Sequence, residues 1–208
     1  MADAPLLVAD NLRKVYTRGT FSRQVTFEIE ADFTIEKPAI VGMMGPNGSG
    51  KTTLFELITG SNQPTRGEVY CNGHNIHNVK YNERDRLAIH YHQSYQVRHF
   101  KRTWPSFMLE AADCDYPMIH LFDEPQFNTQ DGYIGFMLDF FMKLRQKGRL
   151  VFVCVHPNEP VHLDIMREIC ESYFFVYQGR GRQMSNVETL TANEHVREYL
   201  GHLISEVT

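Results

Sequence analysis

Short apolar runs along the chain predict a series of buried strands. Strands that are covered on both faces carry apolar side chains at successive positions. Such runs occupy residues 38–44, 118–122, 150–155 and 173–177. Shorter runs at 68–70 and 87–91 predict two further strands.

Helical spacing of apolar residues between these runs predicts the intervening helices. They span residues 52–60, 133–146, 161–171 and most of 187–207. In the second of them, Phe136, Phe140, Phe141 and Leu144 are predicted to form one face that packs on the core. Because buried strands alternate with helices, we expect an α/β fold with a parallel core sheet flanked by helices.

The first 37 residues have a different pattern, in which apolar and polar positions alternate. Residues 24–30 show this period of two, and residues 6–9 are apolar. Such strands favour an antiparallel sheet with one wet face, so we expect an N-terminal antiparallel β subdomain. Near the other end, the segment Gly179–Arg182 is typical of a hairpin turn between strands.

Composition and charge exclude several classes of protein. The chain has 208 residues, of which 42% are hydrophobic and 22% charged, so it is not a disordered chain. Its net charge of −4 gives no reason to expect a nucleic-acid partner. The N-terminus does not resemble a secretory signal, and no apolar run is long enough to span a bilayer. We therefore expect a cytoplasmic chain that reaches a membrane only through a partner.

The clearest candidate for chemistry is a glycine-rich loop between a predicted strand and a predicted helix. It reads Gly45-Pro46-Asn47-Gly48-Ser49-Gly50-Lys51-Thr52-Thr53, which matches GxxxxGK[ST]. Its backbone N–H groups and the following helix N-terminus would bind phosphate oxygens. Lys51 would reach the β and γ phosphates, and Thr52 would place its hydroxyl on Mg²⁺.

A second signal is the pair of carboxylates that ends the apolar run at 118–122. Asp123 is placed to hold the Mg²⁺ shell, and Glu124 to polarise a water for attack on the γ-phosphate. Gln93 and His156 follow two other predicted strands. Since strand ends converge on the ligand crevice of an open α/β sheet, we expect both residues near the same site.

In this order, the motifs resemble the ATP-binding subunit of an ABC (ATP-binding cassette) transporter. The resemblance covers most of the chain and implies a P-loop NTPase of ABC type. It implies that ATP and Mg²⁺ are bound, that Tyr16 stacks on adenine, and that Gln93 contacts Mg²⁺. It also implies that Glu124 is the catalytic glutamate and that His156 senses the γ-phosphate. The implied catalytic residues are Lys51, Glu124 and His156, and the implied Mg²⁺ ligands are Thr52, Gln93 and Asp123.

The sequence departs from the family where an LSGGQ-type signature on a helical subdomain would precede Asp123. No such signature occurs, and only 30 positions separate Gln93 from Asp123. We therefore divide the single domain into an antiparallel part, a P-loop core and a reduced remnant of the helical subdomain. These occupy residues 1–37, residues 38–93 with 118–208, and residues 94–117. The segment after Pro125 also differs from the family's pattern.

The missing signature leaves two functions open. In this family, two subunits enclose ATP between the P-loop of one and the signature of the other. The chain is then either an ATPase subunit that couples hydrolysis to a transmembrane partner, with a second ATP-binding subunit, or a slow or non-hydrolysing regulatory subunit. A small-molecule kinase is disfavoured by Gln93, His156 and the Asp-Glu-Pro ending.

The histidines and cysteines bear on metal binding and on the redox state of the chain. Five histidines lie between positions 74 and 99, and we expect them to be surface or core residues more often than metal ligands. The four cysteines, Cys71, Cys114, Cys154 and Cys170, are widely spaced and form no CxxC pair. We expect them to be reduced thiols.

Overall fold

The computed structural model describes residues 4–19, 22–91, 117–125 and 133–206. Ten strands within these ranges form one sheet in the order β5-β4-β1-β2-β10-β9-β3-β8-β7-β6. The strands are β1 (Leu7–Arg18), β2 (Gln24–Ile35), β3 (Ile40–Met44), β4 (Arg66–Cys71), β5 (His74–Asn75), β6 (Ala88–Tyr91), β7 (Ile119–Asp123), β8 (Leu150–Cys154), β9 (Ser172–Tyr177) and β10 (Arg180–Met184).

Five adjacent strands form the parallel core of the sheet. β3 pairs in parallel with β8 and β9, while β7 pairs in parallel with β8 and β6. Every residue of β3, β7 and β8 is buried, as expected for strands covered on both faces. The α/β fold with a parallel core sheet is therefore confirmed.

An antiparallel part, built from β1, β2, β4 and β5, extends the sheet beyond β10. β1 pairs antiparallel with β2 and β4, and it is longer than its apolar start at residues 6–9 suggests. The seam with the core is narrow, because β10 meets β2 through the single parallel pair of Arg180 and Glu30. The Glu30 N–H also donates to the Gly179 carbonyl at 2.7 Å.

Helices cover the two faces of the sheet unequally. Among the described α-helices, α1 (Lys51–Ile58) packs on one face of the sheet, and the others pack on the opposite face. Those are α2 (Tyr133–Gln146), α3 (Pro160–Ile169), α4 (Val187–Ala192) and α5 (Glu194–Leu200), followed by a 3₁₀ helix (Gly201–Glu206); a further 3₁₀ helix (Tyr81–Arg86) precedes β6. Successive residues of β8 alternate between the two cores, as the pleat requires.

Three local expectations need correction. Phe136 is 37% exposed, and the inward face of α2 is completed by Met137 instead. The β9–β10 turn consists of Gln178 and Gly179, whose φ angles are 46° and 72°, so β10 already begins at Arg180. The C-terminal helical stretch is broken at Asn193, whose side chain accepts from the N–H groups of His195 and Val196 and so begins a new helix.

The described residues contain no helix that is both long and apolar enough to cross a membrane.

A buried histidine occupies the middle of β7. His120 is fully buried and stacks on Tyr91 at 5.9 Å between ring centroids. Its Nδ1 lies 3.0 Å from the Tyr91 hydroxyl, and its Nε2 lies 3.1 Å from the Pro117 carbonyl oxygen. Burial, aided by the positive charge of Arg149, lowers the pKa of His120 to about 3, against the opposing effect of the Pro117 carbonyl. The imidazole is therefore neutral in the folded chain at physiological pH.

His120 makes the stability of the fold depend on pH. The unfolded chain protonates this side chain near pH 6.5, whereas the folded chain does so only near pH 3. Between these values the unfolded state binds more protons, so the free energy of unfolding falls as pH falls. One proton contributes at most about 1.4 kcal/mol per pH unit.

We expect His120→Gln to reduce the pH slope of the unfolding free energy between pH 6.5 and 5, measured by urea titration. The exposed His74 provides the matched control, and His74→Gln should retain the wild-type slope. Equal slopes in His120→Gln and the wild type would contradict the assignment.

Candidate functional site

Four adjacent parallel strands, β3, β8, β7 and β6, have their carboxyl ends at one edge of the sheet. The glycine-rich loop follows β3, Asp123 and Glu124 end β7, and His156 lies two residues after β8. The structure thus brings three of the predicted groups to one edge. Ligands of open α/β sheets bind at such an edge.

The glycine-rich loop approaches its neighbours too closely for most side chains. A Cβ on Gly45 would lie 2.0 Å from the Val176 carbonyl oxygen, and one on Gly50 would lie 2.7 Å from the Ile29 side chain. Gly50 also has a φ of 111°, which favours glycine. These two glycines allow the loop to lie directly against β9 and β2.

The Lys51 side chain folds back onto the first residues of the glycine-rich loop. Its side chain is 7% exposed, and its ammonium donates to the carbonyl oxygens of Gly45 at 2.7 Å and Pro46 at 2.9 Å. An ammonium has three N–H donors, so these two bonds leave one for another acceptor. Lys51 therefore holds the loop closed and still offers positive charge there.

Two features of the loop fit a phosphate group. The Ser49 hydroxyl is buried, and among the described residues it has no hydrogen-bond partner. Helix α1 begins at Lys51, within the glycine-rich motif, and its N-cap residue Gly50 supplies no side-chain cap. Buried polar atoms normally have partners, and uncapped helix N-termini attract anions. The loop therefore has the donor set for phosphate oxygens, while Asn47 and Gly48 are exposed at its tip.

Thr52 and Asp123 join the helix to the acidic strand. The Thr52 hydroxyl donates to Asp123 Oδ2 at 2.9 Å, and His90 Nε2 lies 3.4 Å from the same oxygen. His90 comes from β6, so three elements meet at this carboxylate. A hydroxyl and a carboxylate oxygen together are the ligand types that Mg²⁺ prefers.

Opposing effects act on the Asp123 carboxyl. Burial raises its pKa, but hydrogen bonds from His90 and Thr52, the charge interaction with His90, and a hydrogen bond from Cys154 together outweigh burial. The pKa of Asp123 is consequently held below its ordinary value. The side chain is therefore a carboxylate at neutral pH, as a cation ligand must be.

Glu124 combines a free carboxylate with an unusual backbone. Its φ is 50°, its main-chain N–H donates to the Cys154 carbonyl oxygen at 3.0 Å, and its side chain is half-buried. Within the described residues, the carboxylate makes no hydrogen bond or ion pair. A non-glycine residue with positive φ costs energy and is concentrated at functional sites. This strained residue directly follows Asp123, at the same edge of the sheet.

His156 is exposed and is held from one side by the C-terminal helix α5. Its Nδ1 lies 2.9 Å from the hydroxyl of Tyr199, and the two ring centroids are 5.9 Å apart. Thus the predicted histidine lies at the same edge of the sheet, with a partner from a distant part of the chain.

Tyr16 lies on β1, beside the β2 residues that border the loop. Its ring centroid is 6.2 Å from that of Phe27, and Phe27 also lies within 3.0 Å of the position of a Cβ on Gly50. The Tyr16 hydroxyl accepts from Asn62 Nδ2 at 2.7 Å, and the Lys14 ammonium lies 5.3 Å from the ring centroid. The tyrosine is therefore fixed next to the glycine-rich loop.

The β9–β10 hairpin is hydrogen-bonded to the glycine-rich loop. The Gly179 N–H donates to the Ser49 carbonyl oxygen at 3.2 Å. Its own carbonyl oxygen accepts from the Glu30 N–H at 2.7 Å. One turn residue therefore ties the loop to the antiparallel part of the sheet.

Some predicted positions lie outside the described residues. They are Gln93, all of the predicted remnant at 94–117 except Pro117, and residues 126–131 after Pro125. The described histidines, cysteines and acids form no group of three that could hold a metal ion. The site residues that sequence reasoning missed are His90 and Tyr199, because a contact between distant elements has no local pattern.

Comparison with known proteins finds similarity to one family over part of the chain. Residues 30–106 match the family model described as ABC transporter. An uncharacterized ABC transporter ATP-binding protein, YvcR of Bacillus subtilis, is 43% identical over 70 residues, which cover 33% of this chain and 26% of YvcR. The lipoprotein-releasing system ATP-binding protein LolD of Psychrobacter arcticus is 35% identical over 79 residues, which cover 38% and 34% of the two chains. The chain thus spans about a quarter to a third of the length of these relatives.

Solved structures extend the likeness to the whole fold. A nucleotide-free ATP-binding cassette from an ABC transporter is 17% identical with a TM-score of 0.67, over 94% of this chain and 98% of that one. An ATP-binding cassette in a dimeric post-hydrolysis state with ADP and Pi is also 17% identical, with a TM-score of 0.63, over 86% and 98%. The chain therefore has the fold of an ABC ATP-binding cassette, and its residues 30–106 match the ABC transporter family model.

Proposed function

We propose that the chain is an ATP-binding and ATP-hydrolysing subunit of an ABC-type transport complex. The observation that carries this proposal is the meeting of the glycine-rich loop, the Thr52–Asp123 pair, Glu124 and His156 at one edge of the sheet. YvcR, which is similar to part of this chain, is named as an ABC transporter ATP-binding protein. The similar cassette with ADP and Pi is named as a post-hydrolysis state.

Binding of ATP is assigned to the loop and to Tyr16. Residues 45–53 donate N–H groups, the Ser49 hydroxyl and the Lys51 ammonium to phosphate oxygens, while the Tyr16 ring stacks on adenine. Thr52 and Asp123 hold Mg²⁺, with Gln93 as a third ligand. Bound Mg²⁺ supplies positive charge that offsets the negative charge of the phosphates.

Hydrolysis is assigned to the groups that surround the γ-phosphate position. The Glu124 carboxylate orients and polarises the attacking water and accepts its proton. Lys51 and the loop N–H groups stabilise the negative charge of the transferred group, and His156 donates a hydrogen bond to it. The residues that form this site come from four different elements, so the folded sheet aligns them before ATP arrives.

The partners belong to the same proposal. Because the sequence has no LSGGQ-type signature, a second ATP-binding subunit that carries one would complete this chain's site. A transmembrane subunit would carry the chain to the inner face of a membrane and use the energy of hydrolysis. We retain the division into an antiparallel part, a P-loop core and a reduced remnant at 94–117 as part of this proposal.

We expect Glu124→Gln to lower steady-state ATP turnover by roughly 100-fold or more while nucleotide binding is retained. The amide keeps the size of the side chain but cannot accept the proton. Turnover and binding would be measured on the purified chain, and again with whichever ATP-binding subunit co-purifies with it. Turnover by the chain alone would show that no partner signature is needed. Binding without turnover in either sample would favour a regulatory subunit over an ATPase.

We expect Tyr16→Ala to weaken ATP binding by roughly ten- to a hundredfold, because stacking on a base contributes about 1–3 kcal/mol. Inorganic triphosphate lacks the base, so its binding should be unchanged. Tyr16→Phe keeps the ring and loses only the bond from Asn62, and should bind ATP nearly as well as the wild type. Equal losses for ATP and triphosphate would contradict the assignment to adenine.

We expect His90→Ala to raise the Mg²⁺ concentration for half-maximal ATP turnover about tenfold, since groups that orient a metal ligand typically affect metal affinity by that much. His90 and Thr52 both contact Asp123 Oδ2, so His90 helps to fix the orientation of this carboxylate. The control is His74→Ala, which changes an exposed histidine in the β4–β5 hairpin. An unchanged Mg²⁺ requirement in His90→Ala would remove His90 from the metal site.

A further inference from the structure

Tyr199 connects the C-terminal helix α5 to His156. Its hydroxyl lies 2.9 Å from His156 Nδ1. Burial raises the pKa of this phenol far above its ordinary value; Cys154 raises it further, the Gly45 main chain lowers it, and the negative charge of Glu124 raises it again. The phenol therefore keeps its proton at neutral pH.

The helix around Tyr199 holds it firmly. Asn193 caps α5 with its side chain, and Val196 and Leu200 are buried on either side of the tyrosine. The Tyr199 ring also packs against Phe175, with 6.0 Å between the centroids. The hydroxyl is therefore presented from a packed helix and not from a free loop.

The direction of the hydrogen bond follows from the neighbours of the phenol oxygen. The Tyr199 phenol keeps its proton at neutral pH, because burial raises its pKa. The hydroxyl proton then requires an acceptor, and His156 Nδ1 is the acceptor within reach among the described residues. Tyr199 therefore donates, and Nδ1 accepts.

We propose that Tyr199 is a positioning residue that holds His156 in the tautomer with its proton on Nε2. A neutral imidazole that accepts at Nδ1 must carry its hydrogen on the other nitrogen. Only this tautomer offers an N–H donor from Nε2 to a phosphate oxygen. The other tautomer would present a lone pair to the same oxygen and repel it. The inference rests on the proposed function, in which His156 contacts the γ-phosphate.

The tautomer is measured without any hydrolysis. In the full chain labelled with ¹⁵N-histidine, the shifts of the two ring nitrogens identify which one carries the proton. The His156 signals are assigned by their absence in His156→Gln. We expect neutral His156 to be protonated on Nε2 in the wild type and to become a mixture of tautomers in Tyr199→Phe. The Tyr177→Phe control removes another hydroxyl on a ring that stacks on Phe175 and His195 and should leave the His156 signals unchanged.

A kinetic measurement then connects the tautomer to the reaction. With the subunits that give the wild type its turnover, Tyr199→Phe should lower kcat roughly three- to tenfold, as expected for loss of one hydrogen bond. The KM for ATP should change little, because the loop and Tyr16 are intact. Tyr177→Phe should retain the wild-type kcat.

Different results would refute the role of Tyr199 and the proposed ATPase function. Predominant protonation of His156 on Nδ1 in the wild type would overturn the role of Tyr199, and this result needs no Tyr199 variant. Unchanged His156 signals in Tyr199→Phe would also overturn it, even if the wild type hydrolyses ATP. A chain that binds but never hydrolyses ATP would refute the ATPase proposal while the tautomer result stands.

Discussion

The register of three parallel strands determines the relative positions of the glycine-rich loop, Asp123 and the segment that carries His156. On one side of β8, Cys154 pairs with Met43, which lies two positions before Gly45 at the start of the glycine-rich loop. On the other side, the same Cys154 pairs with Asp123. A slip of one residue in β7 would turn the Asp123 side chain to the opposite face of the sheet. The bond between Thr52 and Asp123 exists only because both strands keep this register.

The sequence predicts the parts of the molecule whose signals are local. The apolar runs of β3, β7 and β8, the bounds of α2 and the glycine-rich loop all follow from neighbouring residues. The lengths of other elements depend on distant contacts. β1 continues to Arg18, although its polar second half has no strand-like apolar run, because it stays paired with β2 as far as Arg18, whereas β4 pairs with it only as far as Arg13. Phe136 has the right spacing for the core, but it is exposed and Met137 is buried instead.

The same distinction applies to the site. Lys51, Thr52 and Asp123 belong to motifs with a fixed spacing, so their proximity is predictable. His90 and Tyr199 reach the site from β6 and from α5, and only the folded sheet brings them to Asp123 and His156. A histidine in a strand and a tyrosine in an amphipathic helix are ordinary core or surface residues in most proteins. Sequence spacing therefore predicts the residues of the motifs but not the residues that orient them.

The left-handed backbone of Glu124 places stability in opposition to the catalytic role proposed for this residue. A residue other than glycine or asparagine costs about 1–3 kcal/mol in such a conformation, so glycine there would relieve the strain and remove the carboxylate. Selection for a more thermostable chain would thus favour its inactivation at this position. The presence of glutamate in spite of that cost is what would be expected of a chain kept for its chemistry rather than for its rigidity.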